Sequence, residues 1–171
     1  MELVKPSEKY LESYYQACRE TWGKVHDNYI LHNPDEYDIW KERIFTDYEN
    51  QEKGIDLPEN FLPSITYWLV DNGEYMGTVN IRPKINDALV EYGGSCGVAL
   101  RSSVRGKNLG LLIVKLALDK MRELKVSPIV LTCEENNEKS WRIIEHLDYL
   151  KKELYTTVLN GKNVDARRYR F

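Results

Sequence analysis

The chain has 171 residues, 42% of them hydrophobic and 30% charged, with a formal net charge of -3 and a pI of about 5.7; this balance suits a soluble globular protein and supplies no broad basic face for a nucleic-acid backbone. No segment approaches the roughly 18 consecutive apolar residues of a membrane helix, and the opening MELVKPSEKY has no basic segment followed by an apolar one, so the reading is cytoplasmic, with neither membrane nor nucleic acid as partner. Cys18, Cys96 and Cys133 are odd in number and far apart, and His26, His32 and His146 have no metal-ligand spacing to them or to one another, which indicates neither disulfides nor a metal site.

The length, and the lack of repeats, low-complexity tracts or linkers, make residues 1–171 a single domain. Residues 1–5 read as a short opening strand. Pro6 and Ser7 are helix-start signals, and Leu11, Tyr14, Tyr15 and Cys18 recur at helical spacing, which predicts a first helix. A second helical stretch runs from Asp35 to Asn50, until Gly54, Pro58 and Pro63 break the pattern and leave a polar, mobile loop over 51–63. SITYWLV and EYMGTVNIRP, rich in β-branched and aromatic residues around a DNG turn, predict two antiparallel strands. NDALVEYGG fits either a short helix capped by Asn86 and ended by Gly93 or, from the alternation in ALVEY, a strand; the helix is preferred.

CGVALR, LGLLIVKLALDKMREL and SPIVLTC follow as strand, helix and strand, an order that implies a right-handed crossover between parallel strands. In that helix Leu109, Leu112, Ile113, Leu116, Ala117, Met121 and Leu124 form one apolar stripe, with Lys115, Asp119 and Arg122 opposite. Trp141, Ile143, Ile144 and Leu147 predict a shorter helix after EENNEKS, and KKELYTTVL and VDARRYRF flank Asn160-Gly161 as a closing hairpin.

The segment VRGKNLGLLI, residues 104–113, sits between a predicted strand and a predicted helix. The first N–H groups of a helix have no partner within it and carry partial positive charge, so a phosphate placed there is held by hydrogen bonds and by the dipole. Arg105 and Lys107 add charge, and Gly106 and Gly110 let the backbone approach closely; the alternative is an ordinary polar loop. Walker A is excluded, because Asn108 follows Lys107 where Ser or Thr is needed, and the dinucleotide fingerprint GxGxxG is absent. GGSCG, residues 93–97, matches the GxSxG nucleophile elbow around Ser95, but strand-like VAL follows where an elbow needs a helix. Cys133 at a strand end reads as a small buried hydrophobe rather than a nucleophile.

The run GGSCGVALRSSVRGKNLGLLIVKLAL, followed by PIVLTCEENNEKSWRIIEHLDY, resembles the acetyl-CoA-binding half of the GNAT family of N-acetyltransferases, whose cofactor loop reads Arg/Gln-x-x-Gly-x-Gly/Ala. Within that family it is similar to a bacterial group of acetyltransferases with NIR on one strand, a YGG segment and TC-x-x-x-N after a later strand; here these are Asn80 to Arg82, Tyr92 to Gly94, and Thr132 to Asn137. The resemblance covers residues 64–171. It implies an α/β (α+β) fold with flanking helices on a mixed, mostly antiparallel sheet, whose central parallel pair splays to admit the pantetheine of acetyl-CoA. It further implies that Arg105, Gly106, Lys107, Asn108, Leu109 and Gly110 form the pyrophosphate loop, that Val98, Ala99 and Leu100 bond the pantetheine arm through their backbone, and that Asn137 and Ser140 help hold it. Asn108 stands where the family has Gly; in a left-handed conformation an ordinary residue costs about 1–2 kcal/mol, and Asn tolerates it best.

The chemistry implied is direct transfer of an acetyl group to the neutral amine of a small molecule or protein, with a base or water chain taking a proton and an acid protonating the thiolate. The family's Tyr acid falls on Ile144, which cannot donate a proton. Tyr149 and Tyr155 are substitutes, or simply packed or exposed aromatics. The related group's His base falls on Ser95, a poor base unassisted. Glu91 is the catalytic candidate nearby, against a plain surface carboxylate; Asn80 and Arg82 share a strand face with Thr78 and are substrate candidates, against a solvated face. A CoA-binding regulatory or interaction module without turnover is the alternative function, and twelve tyrosines with an exposed terminal hairpin suggest a homodimer.

Overall fold

The computed structural model describes residues 1–23, 31–59 and 61–171; His26 lies outside them. Strand β1 (Glu2–Val4) leads through a 3-10 turn into helix α1 (Leu11–Thr21). Strands β2 (Ile65–Asp71) and β3 (Glu74–Ile81) form the expected hairpin, with Asn72 and Gly73 both at positive φ, 48° and 84°, the conformation that matches strand twist in a tight turn. Residues 86–93 adopt the helical alternative: Asn86 accepts from Leu89 N and caps α4 (Asp87–Glu91). Strand β4 (Cys96–Leu100), helix α5 (Leu109–Glu123), strand β5 (Val130–Glu134) and helix α6 (Glu138–Ile144) follow, and β6 (Lys151–Leu159) and β7 (Lys162–Arg170) close the chain as a hairpin around Asn160 and Gly161.

The strands form two sheets, in order β1-β2-β3-β4 and β5-β7-β6. The first has a core on each face. On one, Ile65, Tyr67, Leu69, Val79 and Ile81 pack against Ile113, Val114, Ala117, Leu118 and Met121 of α5 and against Leu131, Cys133 and Tyr169. On the other, Trp68, Val70 and Tyr75 meet Tyr14, Ala17 and Cys18 of α1 together with Trp40 and Ile44. Tyr14 stacks on Trp68 at 4.5 Å and meets Tyr75 edge-on at 5.0 Å; each large side chain buried here contributes about 1.5–3 kcal/mol relative to exposure. The buried stripe of α5 is rotated from the expected one: Val114 and Leu118 are in the core, whereas Leu109 and Leu112 are only half-buried.

One expectation needs correction. The helical stretch 35–50 is broken into a 3-10 turn (Pro34–Glu36), α2 (Tyr37–Trp40) and α3 (Ile44–Lys53). The ladder tightens where Arg43 N bonds Trp40 O, at 3.1 Å, because Lys41, Glu42 and Arg43 offer no apolar side chain to hold a straight helix on the core. α3 also runs three residues into the predicted loop before Gly54, at φ 75°, ends it with Ile55 N bonding Asn50 O, the usual left-handed helix stop.

The two strands joined by the crossover are the pair expected to splay. The passage β4–α5–β5 is present, but every ladder among the described residues is antiparallel, and β5 pairs with β7 instead of β4. The segment entering β4 is bonded to the start of β5. Ser95 N donates to Val130 O at 2.7 Å, and Ser95 Oγ accepts from Val130 N at 2.9 Å while donating to Pro128 O at 3.1 Å. A side chain thus takes the N–H that would have continued a ladder. Gly94 makes this approach possible, since a Cβ there would lie 2.4 Å from Val130 O.

Candidate functional site

From Leu100 the chain passes through a 3-10 turn (Ser102–Val104) to Arg105, whose Nε donates to Leu100 O at 2.9 Å and closes the loop on the end of β4. Gly106, Lys107 and Asn108 are exposed. Gly106 is at φ 76°, and Asn108, the N-cap of α5, is at φ 60° and ψ 10°. In this left-handed conformation its side chain makes no capping bond, and the first turn of α5 holds no acidic residue. The entrance of α5 therefore offers main-chain N–H groups, the positive end of a 15-residue helix and nearby cations, which is an arrangement suited to an anion.

Beside it, Val98, Ala99 and Leu100 pair on one side with Val79, Thr78 and Gly77 of β3, and on the β5 side the strand forms no ladder among the described residues. An extended ligand with amide groups could pair with that edge as a strand would. Gly110 has a different reason from the one expected. A Cβ there would fall 2.5 Å from Ile143 Cδ1, so its smallness lets α5 and α6 cross closely and is not evidence of a ligand. Asn137 is also engaged: its Oδ1 accepts from Ser140 N at 3.2 Å and caps α6.

The acid–base candidates are dispersed. Glu91 is exposed on α4, its carboxylate 2.7 Å from Arg168 Nη2, and its carbonyl accepts from Tyr155 OH. Burial raises the Tyr155 pKa, opposed by Arg168, and its ring lies under that guanidinium at 4.2 Å. Tyr149 packs edge-on against Tyr169 at 5.2 Å. Ile144 is in the core, and Ser95 is fully buried, which with β4 following directly also removes the nucleophile elbow. Burial pushes the Cys96 and Cys133 thiols up to about 12 and the Cys18 thiol up to about 11, so all three stay protonated near neutrality and are poor nucleophiles.

Both substrate candidates are half-buried and engaged within the protein. Asn80 Nδ2 donates to Ser64 Oγ at 3.0 Å and Thr66 Oγ1 at 3.2 Å. Arg82 Nη1 donates to the carbonyls of Gly93 and Gly94, both at 3.2 Å, and fixes the turn that enters β4. Thr78 is buried and bonded to Tyr75 OH. What the sequence did not indicate is how the loop before α5 is anchored. Arg101 grips Glu20 at the end of α1 in a two-pronged pair, 2.6 and 2.9 Å, and Thr21 Oγ1 accepts from Ser102 N and Ser102 Oγ at 3.2 and 3.1 Å. The partners are 81 residues apart, and no local pattern announces such a contact.

Among the described residues no cluster of His, Cys, Asp and Glu could hold a metal ion, and no helix is long and apolar enough to cross a membrane. No curated protein matches the sequence. Solved structures with the same fold include a chimera of the spermidine N-acetyltransferase SpeG from Vibrio cholerae and hSSAT, with TM-score 0.60 and 15% identity over 99% of this chain and 95% of that one. Others are the microcin self-immunity acetyltransferase MccE in complex with acetyl-CoA and AMP, with TM-score 0.61 and 16% identity over 99% and 90%, and the ribosomal-protein acetyltransferase RimL in complex with coenzyme A, with TM-score 0.60 and 15% identity over 99% and 92%. The acetyltransferase (GNAT) family model matches residues 11–149, most of the chain, and the chain accordingly belongs to this family of acetyl-CoA-dependent N-acetyltransferases.

Proposed function

We propose that this protein moves the acetyl group of acetyl-CoA directly to the amine of a small molecule or a protein, in the cytoplasm. One observation carries the placement of the cofactor: the entrance of α5 is left uncapped by a left-handed Asn108, shortly after a strand whose far edge forms no ladder among the described residues. Gly106, Lys107, Asn108, Leu109 and Gly110 would present main-chain N–H groups to the pyrophosphate, Arg105 would hold the loop closed, and the backbone of Val98, Ala99 and Leu100 would bond the pantetheine arm. Asn137 keeps an amide donor for the same arm while its oxygen caps α6, and Ser140 stands beside it. Bound acetyl-CoA supplies a thioester whose carbonyl carbon is open to an amine and whose thiol departs.

The proton route is water. Glu91 is tied to Arg168, Tyr155 to a carbonyl, Ser95 to Pro128 and Val130, Tyr149 packs against Tyr169, and Ile144 has no acidic proton, which leaves water as the simplest carrier. That same observation supports the second reading, a CoA-binding module without turnover. The named neighbours differ in what they act on, from spermidine to a ribosomal protein, and give no single acceptor to carry over. Calorimetry with acetyl-CoA, followed by thiol-release assays over a panel of amines, separates the readings. Binding with release on at least one amine is expected; binding without release on any would favour the module, and no binding would sink both.

A further inference from the structure

β6 is an edge strand. Among the described residues it pairs with β7 alone, in unbroken register from Lys151↔Arg170 to Leu159↔Lys162, so its nine residues leave a second side in no ladder. Such edges are usually blunted by proline, a bulge, charged side chains, short length or cover; β6 has no proline or bulge, and its charges, Lys151, Lys152 and Glu153, are confined to one end. Along it Leu150, Leu154 and Val158 are 85%, 65% and 63% exposed. Their spacing of four places them on one face, because alternate residues of a strand point the same way. On the other face Glu153 and Tyr155 are already engaged by Arg168, at 3.4 Å and 4.2 Å.

We propose that a second copy of this chain covers this edge: two β6 strands pair antiparallel about a two-fold axis at Leu154, joining the two β5-β7-β6 sheets into one. The register follows from the side chains. Centred on Leu154, the pairing sets Leu150 against Val158, Leu154 against its own copy and Lys152 against Thr156; on the other face Lys151 meets Thr157 and Glu153 meets Tyr155. All the exposed apolar groups cover one another, and no like charges stand opposite. Centring on Lys152 or Glu153 places like charges face to face. Centring on Tyr155 sets Leu150, Leu154 and Val158 against Asn160, Thr156 and Lys152, and centring on Thr156 leaves Leu150 against Lys162. The Leu154-centred contact is self-complementary, as a two-fold interface must be, and it removes an apolar stripe from water.

Sedimentation of the full chain over a concentration series is expected to show a monomer–dimer equilibrium. Leu154→Asp, at a site too exposed to threaten the fold, should weaken the dimer about 100-fold or more by placing two carboxylates together, with circular dichroism unchanged. Under mild oxidation Leu154→Cys should cross-link, since residues directly opposite fall within disulfide reach, whereas Thr156→Cys, whose mate is Lys152, should not. A monomer at every concentration, a dimer indifferent to Leu154→Asp, oligomers growing past two copies, or faster cross-linking at Thr156→Cys would each overturn the proposal.

Discussion

Two helix entrances in this molecule begin with the same residue and end up as opposites. α5 and α6 each follow a strand of the central region, and each has Asn at its N-cap. Asn137, at φ -84°, turns its side chain onto Ser140 N, and Glu138 adds an acid to the first turn, so the start of α6 is satisfied by its own sequence. Asn108, at φ 60°, makes no such bond, and no acid follows it. The hand of one backbone residue decides whether a helix dipole is answered from within or left for a ligand. A capping residue type in the sequence therefore does not by itself report a capped helix.

The largest effect is expected where the two helices touch. Gly110→Val should drive a side chain into Ile143, costing about 1–3 kcal/mol of stability and weakening acetyl-CoA binding. The double variant with Ile143→Ala should recover most of the stability in thermal unfolding; if affinity recovers with it, Gly110 serves packing, and if only stability recovers, it also serves backbone approach to the phosphates. Next, Arg105→Ala removes a cation and the bond that closes the loop, and calorimetry should show acetyl-CoA affinity falling about tenfold. An affinity equal to that of the wild type would move the pyrophosphate elsewhere. Asn137→Ala should then cost about 1 kcal/mol in denaturant unfolding as a lost cap, whereas Asn108→Ala loses no capping bond; equal losses traced to capping at both sites would erase the contrast. The smallest change is Asn108→Gly, which relieves a left-handed residue and should stabilise by up to about 1 kcal/mol, with acetyl-CoA affinity held or improved.

Local grammar was readable. The hairpins at Asn72-Gly73 and Asn160-Gly161, the cap at Asn86 and the helix from Leu109 all rest on neighbours within a few residues, and all formed as expected. What was lost is long-range. The continuous helix over 35–50 overlooked a charged stretch with nothing to pack, and nothing near Ser95 in the sequence announces that its hydroxyl would be spent on Val130 N. Glu91, Asn80 and Arg82 carried functional side-chain types, but their partners, Arg168, Ser64, Thr66 and the carbonyls of Gly93 and Gly94, come from elements the sequence does not place beside them. The packing role of Gly110 was hidden for the same reason: Ile143, 33 positions later in the numbering of the chain, gives no sign there that it would fill the space beside it.

The grip of Arg101 on Glu20, with Thr21 on Ser102, makes the loop and the end of α1 one mechanical unit. The turn 102–104 cannot shift toward a bound anion without either pulling the last turn of α1 with it or breaking those bonds. Any free-energy difference felt at one end is thereby transmitted to the other, and such transmission works equally in both directions. A ligand seated against α1 would tune the anion site as strongly as the anion tunes α1, with no moving lid required.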